Sequence, residues 1–296
     1  MNRDKRTKQK SGKIEMKSIM LPKIASIKNS IPSIEFRELL KTYIIFCVSW
    51  QLLYMFVQRC LRWFKVSNTK LLGFGRSYVC STVNAIISSL CGAYIYFQIH
   101  DDSVLCKYFF IGCVDSSLIN FTITSCASLS AYFTMDLIGI LFTYPRSKAE
   151  TGAATVIHHS IFLACGIIGS VFYLTPYLYA LLNLCEISTI PLNVRWFTIN
   201  TGNGNSKLYW IASYTFVISF IAFRIIVYGF SLLEVILHYG EIQQHMQDLA
   251  HEHGIKIWST LIMFVLVFLG WLLQLYWFRN GILPLLFRGG KKKKKY

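Results

Sequence analysis

The sequence predicts an all-α, multi-pass transmembrane helical bundle of about seven helices. Three observations predict it. Apolar residues make up 54% of the 296-residue chain, and its mean hydropathy is +0.46. Charged residues are only 15% of the chain, yet the net charge is +16. That charge is gathered at the ends: residues 1–37 hold ten Lys/Arg against Asp4, Glu15 and Glu35, and residues 279–296 hold seven Lys/Arg and no acid. A long apolar middle between basic tails is the layout of a membrane domain.

A spanning helix needs about 20 predominantly apolar residues. The first such run, 39–62, starts too late and is too long for a secretory leader. No small-residue cleavage site follows it, so it is expected to stay as a membrane helix. The next runs are 77–98, 118–143, 154–173, 176–197, 208–237 and 257–279. The fifth carries Asn183, Glu186, Pro191, Asn193 and Arg195. It fits a membrane only inside the bundle or against a cavity, and a six-span reading with a re-entrant fifth segment stays open. Pro191 predicts a break or kink that frees backbone carbonyls. The glycines at 73–75 and 202–204 read as loop glycines. The nine cysteines show no CxxC pair and read as small hydrophobes; Cys106 and Cys113 share one polar loop and could pair. His238, His245, His251 and His253 lie in a stretch, 238–256, that reads as a solvated polar loop without metal-ligand spacing.

With seven spans and a cytosolic C-terminus, the cytosolic connections 59–76, 144–153 and 198–207 carry Arg59, Arg62, Lys65, Lys70, Arg76, Arg146, Lys148 and Lys207. The opposite connections carry Lys107 and Lys256 with Asp101, Asp102 and Asp115. The split favours a cytosolic C-terminus and conflicts only with the basic N-terminal tail, which is expected to be largely disordered. Lys293 and Lys294 resemble the dilysine retrieval signal of endoplasmic-reticulum membrane proteins. The tails otherwise read as contacts for anionic lipid, and no nucleic-acid module is present.

Ionisable residues at membrane depth are functional-site candidates because each is costly unless paired or watered. Here they are Asp136, His158, His159, Glu186, Arg195, Arg224 and Glu234. Adjacent His158 and His159 point about 100° apart on a helix, one towards a cavity and one towards a neighbouring helix. Imidazole works as base or nucleophile near neutral pH when a carboxylate orients it; Glu186 is available to the pair, and whether it or Asp136 is the working acid stays open. His158, His159 and Glu186 are therefore the catalytic candidates. Asp136, Ser188, Asn193, Arg195 and Arg224 are the cavity candidates, with Arg224 expected to pair with Asp136 or Glu186. Arg195 and Trp196 also fit an interfacial anchor.

The run Val156-Ile-His158-His159, followed by Glu186-Ile-Ser188-Thr-Ile-Pro191-Leu-Asn193-Val-Arg195-Trp196, resembles the TLC-domain family, which includes the ceramide synthases. Ser81-Thr-Val-Asn84, Asp136-Leu137 and Phe223-Arg224-Ile225 add to the likeness. It covers about residues 70–280 and is nearer to the uncharacterised TLC-domain subgroup than to the synthases. It divides the chain into a basic tail (1–37), a first transmembrane helix (38–69), a six-helix TLC domain (70–280) and a second basic tail (281–296). The resemblance implies a six-helix barrel around a lipid-accessible cavity, with membrane lipid as partner and a role in lipid homeostasis. A homo-oligomer stays an open reading. In the synthases the His pair transfers an acyl group from acyl-CoA to a sphingoid amine. Where they continue with an Asp-rich stretch, this chain offers Glu186 and Ser188. The expected function is therefore lipid binding, handling or modification without a resident cofactor or metal. The alternative is an acyl-CoA-dependent lipid N-acyltransferase using His158–His159, with acyl-CoA as co-substrate only.

Overall fold

The computed structural model describes residues 36–99, 102, 107–108, 115–147, 153–172, 175–253 and 257–284. Both tails with the dilysine pair, and Cys106 and Cys113, lie outside the described residues. The described chain is helical from end to end. Helix α1 is Phe36–Trp63, α2 Thr69–Ile99, α3 Ser116–Ser147 and α4 Ala153–Phe172. Then come α5 (Pro176–Leu184), a 3₁₀ turn (Cys185–Ser188) and α6 (Thr189–Asn200). Helix α7 (Lys207–Ser219) continues through a π-helical stretch (Phe220–Val227) into α8 (Tyr228–Leu237). Helix α9 is Tyr239–His253, and α10 (Ile257–Trp277) ends in a second π turn (Phe278–Ile282).

Local chemistry sets the ends. Asn68 Oδ1 accepts the amides of Lys70 and Leu71 at 2.9 and 3.1 Å and caps α2. Asp115 accepts the Ser117 amide ahead of α3, and Ser206 accepts the Tyr209 amide at 3.2 Å to open α7. Among the described residues, six helices are long and apolar enough to cross a membrane: Phe36–Trp63, Thr69–Ile99, Ser116–Phe142, Ala153–Phe172, Lys207–Leu237 and Ile257–Ile282.

The 176–200 segment differs from these six, and its ends show its course. The Thr175 amide donates to Tyr108 O at 2.9 Å, in the α2–α3 connection. Asn68 Nδ2, in the α1–α2 connection, donates to Asn200 O at 2.6 Å. The segment therefore runs from one face of the bundle to the other. Buried Leu178, Tyr179, Leu181 and Asn183 pack it inside, which meets the condition under which its polar residues are tolerable. Gly92 of α2 lets it approach: a Cβ there would stand 2.7 Å from Ala180 O and from Asn183 Cβ. The break that Pro191 predicts falls just upstream, in the 3₁₀ turn. Pro191 has no amide to bond back to residue 187, so the chain tightens ahead of it.

Two sequence readings change. The 238–256 stretch is not a polar loop, since α9 occupies most of it. Ile242 and Met246, four residues apart, form one apolar face buried with Tyr108, Leu178 and Val235. Gly73 and Gly75 lie in the first turns of α2 rather than in a loop. The pair at 202–204 does sit in a turn, with Gly202 at φ +82°.

Candidate functional site

A cavity of about 450 Å³ lies among α2, α3, α4, α6, α7 and the end of α10. The residues from α2, α3, α4 and α10 come from the parts of those helices nearest the face that carries the α1–α2 and α6–α7 connections. Asp136, His158, His159, Glu186, Asn193, Arg195 and Arg224 all line it. Ser188 stands behind Arg224, which it contacts through Oγ at 2.7 Å. Glu234 lies elsewhere: it pairs with Lys107 at 3.2 Å on the opposite face.

Asp136 anchors one wall. Its Oδ1 accepts Tyr54 Oη at 2.7 Å and Ser77 Oγ at 2.6 Å. Its Oδ2 lies 3.3 Å from His159 Nδ1, within ion-pair reach of a protonated ring but off the line of a hydrogen bond. Both histidines line the cavity; the expected division between a cavity-facing and a helix-facing ring does not hold. His158 packs among Phe162 and Trp277, with ring centroids at 4.5 and 5.1 Å. Its Nδ1 is buried and has no hydrogen-bond partner among the described residues.

Arg224 anchors the other wall, carried by the π-helical stretch, a widened turn often found where a helix serves a site. The Thr189 amide bonds back to Glu186 O, only three residues earlier. Cys185 O instead accepts Ser188 Oγ at 2.9 Å and Arg224 Nε at 3.2 Å. Arg224 Nη1 donates to Gln274 Oε1 at 3.2 Å, and Nη2 donates to Thr189 Oγ1 at 2.8 Å and Glu186 Oε1 at 3.4 Å. Thr189 Oγ1 in turn donates to Glu186 Oε2 at 2.8 Å. Of the two acids that the sequence leaves open for the His pair, Glu186 lies with Arg224, and Asp136 is the carboxylate beside His159. The cause is the guanidinium, which with Thr189 occupies both oxygens of Glu186.

Asn193 joins α6 to α2 through Nδ2, which donates to Tyr78 O, Ser81 Oγ and Thr82 Oγ1 at 3.3, 3.1 and 3.0 Å. Next to it Tyr78 stacks on Trp196 with centroids 3.8 Å apart, and the Arg195 guanidinium lies 5.5 Å from the Tyr209 ring centroid. The remaining wall is apolar: Phe133, Ile140, Phe216 and Phe220. Sequence reasoning missed Tyr54, Ser77, Thr189 and Gln274. Gln274 had a legible signal, a lone amide in an apolar helix; the hydroxyl groups had none.

Fold and cavity together define a class: a multi-pass α-helical membrane protein with a polar centre enclosed by its own helices. The particular family follows from comparison. The TLC-domain profile matches residues 76–282, and the chain belongs to that family, a group of membrane proteins connected with lipid. No curated protein and no solved structure matches the chain. Helix α1 lies outside the matched residues, yet it supplies Tyr54.

Proposed function

We propose that this protein binds membrane lipid in its intramembrane cavity and handles or modifies it there, serving lipid homeostasis in the endoplasmic-reticulum membrane with its C-terminus in the cytosol. The observation that carries this reading is the cavity itself. Its volume lies in the usual range of about 300–1,000 Å³ for small-molecule sites, and it joins an apolar aromatic wall to two buried polar networks. That combination suits an amphiphile with its polar end beside the polar residues and its chain along the aromatic wall. The Lys293–Lys294 pair and the basic connections support the location and orientation. Purification in mild detergent followed by lipid mass spectrometry tests the reading. Specific lipid should co-purify and be lost when Gly281, in the cavity wall, is replaced by Trp. A lipid profile identical to the detergent background would sink it.

One observation favours a second reading. His159 beside Asp136 is the carboxylate–imidazole arrangement of a general base. An acyl-CoA-dependent N-acyltransferase would use it to take the proton of a lipid amine as nitrogen forms its bond to the thioester carbonyl and the C–S bond breaks, releasing the thiol of CoA. Transfer of labelled acyl groups to a lipid amine that stops in His159→Ala would establish this reading. A His158→Ala/His159→Ala protein with its full lipidomic effect in cells would exclude it.

A further inference from the structure

Arg195 brings into the cavity a positive charge that no described residue balances. Arg224 is matched by Glu186 and neutral acceptors, and Asp136 by two hydroxyl donors and His159. Arg195 lines the same cavity, but among the described residues no carboxylate lies within 4.0 Å of its guanidinium and no acceptor takes its N–H groups. The Tyr209 ring holds it by its face and uses none of its five donors. It lies towards the face of the α1–α2 connection: Asn200, five residues or about 7 Å along α6, is tied to that connection. Phe216, Phe220 and Phe133 line the same cavity.

We infer that the cavity's ligand is an anionic amphiphile, with a carboxylate or phosphate received by Arg195 and an apolar chain lying along the phenylalanines. This rests on the lipid-binding reading and adds the ligand's charge and orientation. A guanidinium fork matches both oxyanions bidentately. An uncharged lipid would leave the donors open.

The test uses the full chain in non-ionic detergent, with oleate, oleoyl lysophosphatidate, neutral monooleoylglycerol and inorganic phosphate as probes of thermal stabilisation and binding. Either oleate or the lysophosphatidate should bind roughly tenfold more tightly than monooleoylglycerol. Arg195→Gln should erase that preference while monooleoylglycerol binding persists, and Arg195→Lys should retain part of it. Which of the two anions wins identifies the oxyanion. The inference is overturned if folded Arg195→Gln or Arg195→Lys keeps the wild-type preference, or if inorganic phosphate protects as well as the amphiphiles. It also fails if neutral and anionic probes bind wild type equally, in which case Arg195 is only an interfacial anchor and lipid binding itself still stands. Failure of every amphiphile to bind would instead remove the lipid-binding reading on which the inference depends.

Discussion

At the scale of single residues, Asp136 shows how asymmetry at one carboxylate directs a neighbour. Tyr54 and Ser77 both occupy Oδ1, which leaves Oδ2 for His159. Tyr54→Phe keeps the ring in its packed core and removes one bond to a charged group, so stability should fall by about 1.5–3 kcal/mol in detergent unfolding. The Arg224–Glu186 pair is also buried, with side-chain exposures of 8% and 13%. Arg224→Met leaves Glu186 without its cation and should cost about 3–5 kcal/mol. Arg224→Met combined with Glu186→Gln should recover part of that loss in the same measurement, because no uncompensated charge remains.

At the scale of elements, the helices with uniform apolar runs were legible in the sequence, and α1 to α4 begin and end within a turn or two of expectation. The pattern failed where helix is made by contact rather than by composition. Helix α9 is polar in most positions and holds together through Ile242 and Met246, a signal too sparse to outweigh its histidines and acids. The α2–α5 contact depends on Gly92, and Gly92→Leu should push against Ala180 O and lower stability by about 1–3 kcal/mol, read as a lower unfolding midpoint. At the start of α3, hydrogen bonds from Ser117 hold the exposed Asp115 carboxyl below its ordinary value of 3.8. A depressed carboxyl adds stability above that value and loses it as pH falls through the folded value. The advantage of wild type over Asp115→Ala should therefore be constant from neutral pH down to the carboxylate range and shrink only below it, as a pH series of unfolding midpoints would record.

At the scale of the whole molecule, six described helices are long and apolar enough to cross a membrane, and the 176–200 segment joins connections on opposite faces of the bundle; counted together they predict seven crossings. Tags at the two ends should therefore be protected from protease on opposite sides of sealed vesicles; both on one side would mean that 176–200 returns to its starting face. The sequence named the residues of the cavity better than it named their partners. An ionisable side chain at membrane depth is costly wherever it falls, and so Asp136, His158, His159, Glu186 and Arg224 could be grouped. The pairing of Glu186 with Arg224, and of Asp136 with His159, depends on how four separate helices are rotated against one another, which no local pattern records.

The wide turn at 220–227 has a consequence of its own. A π turn holds about one residue more than an α turn over the same length, so the stretch absorbs an extra residue between α7 and α8 without turning α8 away from its partners. Tyr228, whose hydroxyl meets Val267 O at 2.6 Å, and Gly229, against Trp271, keep the facing that an unbroken α-helix one residue shorter would give them. A one-residue deletion within the stretch is then the mildest change of length this rod can take, whereas the same deletion inside α8 would swing everything beyond it by about 100°.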